Sequence, residues 1–280
     1  MKKKLEVMMT SVNVGRKEVS MKVSAELLGI KSKDPVVQKF IEEHIDSKVY
    51  FIPKKIEKEL NTIETRLRTA HAKNSVKYLW GKDDKLTFMT KEMAERFEKE
   101  YLQKCKKEYF DKLEEILKDY KTIKDEFFKS FEAFLSTNKK KDKFMREMKS
   151  IIPIEVDYAS TFYMSFNCKK MDITEDQDVI NSFLAESIQI IYNGAVAFEK
   201  SFSRNKKIAS RTLGIANNIK EKVNELNISE NEEVFEILKY FDRIIGYGGK
   251  GLYVDKAIKS MKEDCRKVAN YLGIYHLITF

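Results

Sequence analysis

The chain has 280 residues, of which 42% are hydrophobic and 35% charged, with only 10 Gly and 3 Pro. This composition excludes a disordered chain, and so few helix breakers among abundant Lys, Glu, Leu and Ile favour a mostly helical globular protein. The net charge of +9 suits an anionic partner such as nucleic acid, but the cations are mainly lysines, whereas base recognition favours arginine. A Lys-rich composition produces the same charge without any binding role.

Cysteine usage and hydropathy set the expected compartment. Cys105, Cys168 and Cys265 are isolated, so neither a disulfide framework nor a zinc site is encoded. Glu6 interrupts the segment after the N-terminal lysines, and no segment approaches the ~18 apolar residues of a membrane span. We therefore expect a cytoplasmic protein without a membrane partner.

The first fifth of the chain mixes short strand and helix signals. Val7–Val14 reads as a strand that leads into a Gly-Arg turn, and Ala25–Leu28 as a short helix. Asp34 before Pro35 is typical of a helix start, because proline suits the first helical position. Lys48–Ile52 reads as a second short strand.

Two helical runs follow. The first extends from Lys54 to Ala72, and a turn is expected around Trp80-Gly81. Thr90 opens a run with apolar residues every three or four positions up to Phe134, which predicts a helix on the order of 60–70 Å long. The pattern predicts a helical hairpin between 54–73 and 90–137. It is richer in bulky aromatics than a regular coiled-coil seam and therefore favours a hairpin contact over a parallel dimer.

The second half reads as a strand followed by helices. Ala159–Cys168 is expected to pair with the N-terminal strand in a small antiparallel sheet. Thr174 with Gln177, and Ser229 with Glu232, have the spacing of capping boxes. Four amphipathic helices over roughly 174–273 predict a C-terminal bundle. The expected fold is mostly α (α+β), with an N-terminal α+β domain over 1–170 and the bundle over 171–280.

The segment GYGGKG, residues 246–251, matches G-x-G-x-x-G by letters. A dinucleotide loop needs a preceding strand and an acidic residue about 20 positions later, but here a helix precedes and the corresponding position is Tyr271. A P-loop is excluded because Lys250 is followed by Gly251. The segment predicts a corner between two helices, in which exposed backbone N–H groups beside Lys250 offer a weak anion contact.

The segment RLRTAH contains Arg66 and His71 at the R-x4-H spacing, and it resembles the catalytic motif of the HEPN ribonucleases. That resemblance implies a metal-independent RNA cleavage, with His71 as general acid–base and Arg66 stabilising the phosphorane. The family usually has a polar residue after the Arg, where this chain has Leu67. The competing interpretation is a solvated helix face with a capping His.

Carboxylates cluster before the first bundle helix, at Asp172, Glu175, Asp176 and Asp178. Acidic residues there complement the helix dipole. A two-metal nuclease would need them to converge with residues such as Glu155 and Asp157. Without motif support for that convergence, and without one for Ser or Cys catalysis, we expect no metal, no cofactor and no enzymatic activity.

Basic residues form three segments that are candidates for nucleic-acid binding. The third, RNKKIASR, also opens a helix, whose N-terminus favours phosphate. The candidate residues are Lys139, Lys140, Lys141 and Lys143, then Lys169 and Lys170, then Arg204, Lys206, Lys207 and Arg211.

The order of segments in the N-terminal half carries a family resemblance. VNVGRKE, LLGI, IPKKIEKELNTIETRLR and IIPIEVDYASTFYMSF, within roughly residues 5–168, resemble a family of uncharacterised phage and plasmid proteins that are often encoded near MoxR-type AAA+ ATPases. The glycine-rich turn of that family is reduced here to Trp80-Gly81, and the resemblance implies no catalytic residues.

The leading hypothesis from the sequence is a non-enzymatic mobile-element accessory protein that binds a macromolecule, either a protein complex or nucleic acid. The alternatives are the ribonuclease that uses Arg66 and His71, and a nucleic-acid-binding subunit of a larger complex. The sequence leaves the oligomeric state open.

Overall fold

The structure is a computed structural model that describes residues 6–23, 34–78, 86–171 and 176–280. The expected helix at Ala25–Leu28 and the expected turn at Trp80-Gly81 lie outside these residues. The chain divides into two compact units, each built from separate segments. We term Met1–Ser11, Asn74–Arg96 and Cys168–Phe280 the bundle unit, and Val12–Lys73 and Phe97–Asn167 the hairpin unit. The domain boundary predicted from the sequence, at residue 170, lies close to Cys168, where the last segment of the bundle unit begins.

The strands form two small sheets. One has the order β4-β5-β1-β6, and the other pairs β2 with β3. The strands are β1 (Val7–Gly15), β2 (Ser20–Lys22), β3 (Lys48–Tyr50), β4 (Val76–Lys77), β5 (Thr87–Thr90) and β6 (Tyr163–Met171). The expected pairing of the N-terminal and central strands is confirmed, since β1 and β6 are neighbours. The sequence predicted β3 within Lys48–Ile52 but did not predict β2, β4 or β5, whose two to four residues show little alternation.

Helices predominate in the rest of the chain, which confirms the mostly α (α+β) fold class. The first ones are α1 (Pro35–His44), α2 (Lys54–Asn74), α3 (Lys91–Phe97), a π-helical segment (Glu98–Leu102), α4 (Gln103–Lys118), α5 (Tyr120–Phe134), α6 (Lys141–Ile151) and α7 (Glu155–Ser160). The side chain of Asp34 accepts from the Val36 N–H at 2.8 Å, so α1 begins as predicted.

The predicted long helix is present but divided. A π-helical segment interrupts it at Glu98–Leu102, and Asp119 ends α4 with a non-helical φ of −111°. The arm α4 lies against α2, where Lys112 Nζ is 3.0 Å from Glu59 Oε2. After the break, α5 packs instead on α1, and the Phe40 ring lies 5.5 Å from that of Phe127. The hairpin is therefore α2 with α4, and its second arm is shorter than the sequence predicted.

Two boundaries near the centre also differ from the sequence prediction. The sequence predicted no helix between residue 137 and the expected strand at Ala159, but α6 begins at Lys141. Ala159 and Ser160 were expected in a strand, but they end α7, and β6 begins at Tyr163.

The bundle unit contains the four predicted helices: α8 (Gln177–Asn205), α9 (Ser210–Leu226), α10 (Glu232–Gly246) and α11 (Leu252–Tyr271). They enclose one apolar core, with Phe198 and Phe241 in edge-to-face contact at 5.5 Å.

The capping residues of this bundle differ from the predicted ones. Asn231, rather than Ser229, caps α10, and its side chain accepts from the Val234 N–H at 3.0 Å. Asp176 caps α8, and Thr174 lies outside the described residues. Among the helices that the structure describes, none is long and apolar enough to cross a membrane.

Candidate functional site

Two loops of the bundle unit meet at one end of its helices. Lys206 ends α8 in the left-handed conformation, with a φ of 52°. The next residue, Lys207, forms an antiparallel bridge with Lys250, and the Ile208 N–H donates to the Gly249 carbonyl at 2.9 Å. The side chain of Ile208 is fully buried and anchors the loop in the core. We term residues 204–211 together with 246–253 the basic corner.

The glycines of the basic corner end a helix, as the sequence predicted. Gly248 and Gly249 have φ values of 60° and 68°, which non-glycine residues rarely adopt. The Gly248 N–H donates to Ile245 O at 2.8 Å and the Gly249 N–H to Ile244 O at 3.0 Å, an arrangement typical of helix C-termini. These amides are therefore committed within the turn, and the expected backbone cradle for an anion is absent at both positions. An anion at this turn would therefore contact the side chain of Lys250 rather than the amides of Gly248 and Gly249.

The lysines of the basic corner carry uncompensated charge. Lys206, Lys207 and Lys250 are exposed, and none of them forms an ion pair with any residue that the structure describes. The same holds for Arg204 and Arg211.

The other two predicted basic segments are partly neutralised. Lys141 lies 2.7 Å from Glu132 Oε1, and Lys170 pairs with Glu6. The described cations of the third segment thus differ from the other two segments in having no ion pair, and the bridge places Lys250 beside them.

Exposed aromatic rings accompany this charge. Tyr247 and Tyr253 are 52% and 69% exposed, and their rings stack on each other with centroids 5.7 Å apart and an interplanar angle of 22°. In the hairpin unit, by contrast, Phe110 and Phe128 are half-buried, and Lys149 Nζ lies 5.8 Å from the centroid of the Phe128 ring. The tyrosine pair was not predicted from the sequence, although the spacing Y-x5-Y across a glycine turn was a signal for it.

A second candidate lies in the hairpin unit, where the polar face of α2 borders an open groove of about 780 Å³. The groove is lined by Glu18, Asp46, Tyr50, Lys54, Glu57, Lys58, Asn61, Thr62, Thr65 and Arg66. Several of these groups are already paired. Lys48 Nζ is 2.7 Å from Glu18 Oε1, and Lys54 Nζ donates to Ile45 O at 2.7 Å.

A buried charge network lies next to this groove. The guanidinium of Arg16, whose side chain is 5% exposed, pairs with both Glu57 and Glu64 and donates to Asn61 Oδ1 at 3.1 Å. The Tyr109 hydroxyl donates to Glu64 Oε1 at 2.9 Å.

The protonation of this network follows from its burial. Burial lowers the pKa of Arg16, but Glu57 and Glu64 outweigh it and raise that pKa above its usual value. Burial raises the pKa of Glu57, against the opposing effect of Arg16. The sequence indicated only a turn at Gly15-Arg16, since the partner carboxylates lie far along the chain. The network fastens α2 to the end of β1, which is a structural role.

The two residues of the R-x4-H pattern have different surroundings. Arg66 borders the groove and pairs with Glu108, and both side chains are partly exposed. His71 is buried and lies edge-on to the rings of Phe97 at 5.5 Å and Phe166 at 6.2 Å. Burial lowers the pKa of His71. The expectation of a solvated helix face is therefore wrong for His71, because this residue is buried on the core face of α2.

The acidic cluster near residue 176 does not form a metal site in the described part of the chain. Asp176 accepts from the Val179 N–H at 3.3 Å as the cap of α8, which is the helix-dipole role that the sequence favoured. Asp172 and Glu175 lie outside the described residues. Across 6–23, 34–78, 86–171 and 176–280, no three His, Cys, Asp or Glu side chains are grouped so that they could hold a metal ion.

Similarity to other proteins leaves the function open. No family model matches the chain, and no curated protein or solved structure is significantly similar to it. The basic corner and the polar groove are the two candidate sites, and the corner has the clearer chemistry.

Proposed function

We propose that the protein is non-enzymatic and binds nucleic acid through the basic corner of its bundle unit. The observation that carries this proposal is the bridge between Lys207 and Lys250, which places Lys250 beside a basic segment that is distant in sequence. Their side chains, and that of Lys206, have no acidic partner among the described residues. Because these lysines form no internal ion pair with the described residues, they can bind phosphates without first breaking one.

Binding of this kind is driven by release of the counterions condensed on the nucleic acid. Lysine acts as a point charge on phosphate and carries little base specificity. The corner is therefore expected to bind nucleic acid with weak dependence on sequence and strong dependence on salt.

The test is a fluorescence-anisotropy titration of mixed-sequence DNA and RNA, single- and double-stranded, between about 50 and 200 mM salt. The variant is Lys207→Gln with Lys250→Gln. Affinity is expected to fall, and the slope of log affinity against log salt to become shallower by about 0.7 per lysine on single strands.

The matched control is Lys139→Gln with Lys143→Gln, which removes the same charge from another exposed basic segment. A general effect of net charge would weaken binding equally in both variants, and that outcome would contradict the proposal. Absence of binding by the wild type at about 50 mM salt would contradict it as well.

The wider proposal of a phage or plasmid accessory protein, with a protein complex as a second partner, rests on the family resemblance in the N-terminal half. Its test is a pull-down from the native host in which protein and nucleic acid are both identified. Recovery of a protein complex after nuclease treatment would indicate a protein partner, and loss of all partners after that treatment would indicate nucleic acid alone.

The ribonuclease with Arg66 and His71 is the alternative function. Residues five apart on a helix are separated by about 140° around its axis, so joint action needs a substrate that reaches two faces of α2. The discriminating variant is His71→Ala, with Arg66→Ala as its partner. Loss of RNA cleavage in both folded variants would establish the ribonuclease, and undiminished activity in either would remove it.

A further inference from the structure

We infer that the basic corner binds single-stranded nucleic acid by stacking bases on the rings of Tyr247 and Tyr253, an inference that rests on the proposed function. The two rings are the largest exposed aromatic surface of the corner and lie at either side of Lys250 in the chain. Aromatic rings beside cations are the combination by which proteins hold unpaired strands without regard to sequence.

The rings are held in position by the backbone. Tyr247 follows the last residue of α10, where its N–H donates to Arg243 O at 3.0 Å. Tyr253 lies in the first turn of α11. The two rings stack with centroids 5.7 Å apart, and the side chains remain 52% and 69% exposed, which leaves aromatic surface accessible to a base. Because the two rings already pack on each other, less side-chain entropy is lost when a base stacks on them.

The charge around the rings matches a nucleic-acid backbone. Lys250 lies within the turn between the two tyrosines, and its bridge partner Lys207 comes from the loop before α9. A base on a tyrosine face places its own phosphate in the neighbourhood of these lysines. A nucleic-acid strand compensates the positive charge of these lysines, whereas a neutral or basic protein surface would not.

An unpaired strand fits this geometry better than a duplex. In a duplex both faces of each base are covered by neighbouring bases, and stacking on an outside ring would require unstacking. In a single strand the base faces are free, and every base has a face to offer. The corner is also built from turns between helices, unlike a helix presented along its side to a major groove.

The experiment compares a fluorescein-labelled oligothymidylate with a mixed-sequence duplex of the same length, by anisotropy at constant salt. The variant Tyr247→Ala with Tyr253→Ala is expected to bind the oligothymidylate roughly 5- to 150-fold less tightly per lost stack and to change duplex binding little. The variant Tyr247→Phe with Tyr253→Phe keeps the rings and is expected to retain wild-type affinity. In Tyr253→Trp, quenching of the introduced indole by added oligothymidylate reports stacking directly.

The matched control is Tyr271→Ala, which removes a 77% exposed tyrosine at the other end of α11 and is expected to leave binding unchanged. Circular dichroism establishes that each variant is folded. If the wild type binds neither probe, the proposed function fails. If the wild type binds both probes and the double alanine variant keeps wild-type affinity, the proposed function stands and the stacking inference is overturned. The exposed rings would then be candidates for contact with a protein partner.

Discussion

The backbone of Lys207 pairs with that of Lys250 in an antiparallel bridge, so that the loop before α9 and the loop before α11 form one surface. The bridge is supported by the adjacent hydrogen bond from the Ile208 N–H to the Gly249 carbonyl. Two like charges are thereby brought near each other without an acidic neighbour among the described residues. Such an arrangement costs stability in the free protein and gives affinity for an anion.

This repulsion predicts a salt effect on the free protein. Lys250→Gln is expected to raise the free energy of unfolding by a few tenths of a kcal/mol at low ionic strength, because it removes one of the two charges. The gain is expected to vanish at about 1 M salt, where charges are screened within about 3 Å. Thermal melts of both proteins across a salt series measure it. A gain that is independent of salt would point to a cause other than charge.

The glycine turn allows a comparison between neighbouring residues. Gly249→Ala is expected to destabilise by more than Gly248→Ala, although the φ values are similar at 68° and 60°. A Cβ on Gly249 would lie 3.1 Å from Leu213 Cδ1 and 3.2 Å from Ile208 Cβ, whereas one on Gly248 meets no atom within 4 Å. The φ cost of about 1–2 kcal/mol applies to both, and crowding adds about 1 kcal/mol or more at Gly249 only.

Denaturant unfolding of the two variants measures that difference. Gly246→Ala is the control, because Gly246 is helical and open, and alanine there is expected to leave stability unchanged or slightly higher. Equal losses for Gly248 and Gly249 would show that the contact with the loop before α9 is absent in solution.

The buried Arg16 predicts a large loss of stability. Arg16→Met leaves the buried carboxylate of Glu57 without its cation and Glu64 with only the more distant guanidinium of Arg68, at 3.8 Å, which is expected to cost about 3–5 kcal/mol of unfolding free energy. Adding Glu57→Gln and Glu64→Gln is expected to recover part of that loss, because neutral amides no longer need a cation.

The control for this prediction is Arg66→Met. The Arg66 and Glu108 side chains are 46% and 38% exposed, so breaking this pair is expected to cost less than about 1 kcal/mol. Equilibrium denaturation measures the unfolding free energy of both variants. A similar loss of unfolding free energy in each would mean that the Arg16 network is not buried in solution.

Two buried histidines predict acid sensitivity. Burial lowers the pKa of His44 and of His71 below the ordinary value of 6.5, so both remain neutral in the folded chain while an unfolded chain protonates them. Their contribution to stability is therefore full above about pH 6.5 and is lost as the pH falls through that value toward the folded-state pKa.

The pH dependence is tested with His44→Phe, where the new ring keeps the stack on Phe40, 4.9 Å from the imidazole. This variant loses the hydrogen bond between Nδ1 and Tyr50 O, a cost that does not vary with pH. Its unfolding free energy is expected to fall less than that of the wild type between about pH 7 and 5.5. The same fall in both proteins would exclude a buried, neutral His44.

The helix α10 has two candidate capping residues, Asn231 from the structure and Ser229 from the sequence, and their substitutions are expected to differ in cost. Asn231→Ala is expected to cost about 1 kcal/mol, because its side chain accepts the Val234 N–H at 3.0 Å. Ser229→Ala is expected to change stability little, since its hydroxyl makes only a long contact of 3.5 Å with Asn227 Oδ1. Thermal unfolding of the two variants gives the answer, and the reverse order would favour the capping box read from the sequence.

The sequence by itself determined the helices and the bundle. Apolar residues at helical spacing indicate which face of a helix is buried, and this local pattern correctly predicted the helices α2, α8, α9, α10 and α11. The start of α1 was equally local, since Asp34 and Pro35 act within one turn. The periodicity of the run after Thr90 did not show the break at Asp119, because the apolar spacing continues across it while α5 turns to a different partner, α1.

Only the tertiary structure decided which charges matter. The sequence marked Lys207 and Lys250 as separate basic positions, and it gave Arg16 no partner at all. Their neighbours come from distant segments, and no local period encodes such a meeting. Burial then assigns opposite roles, because a low-dielectric interior requires Arg16 to be paired, whereas water allows the lysines of the corner to remain unpaired and available to an anion.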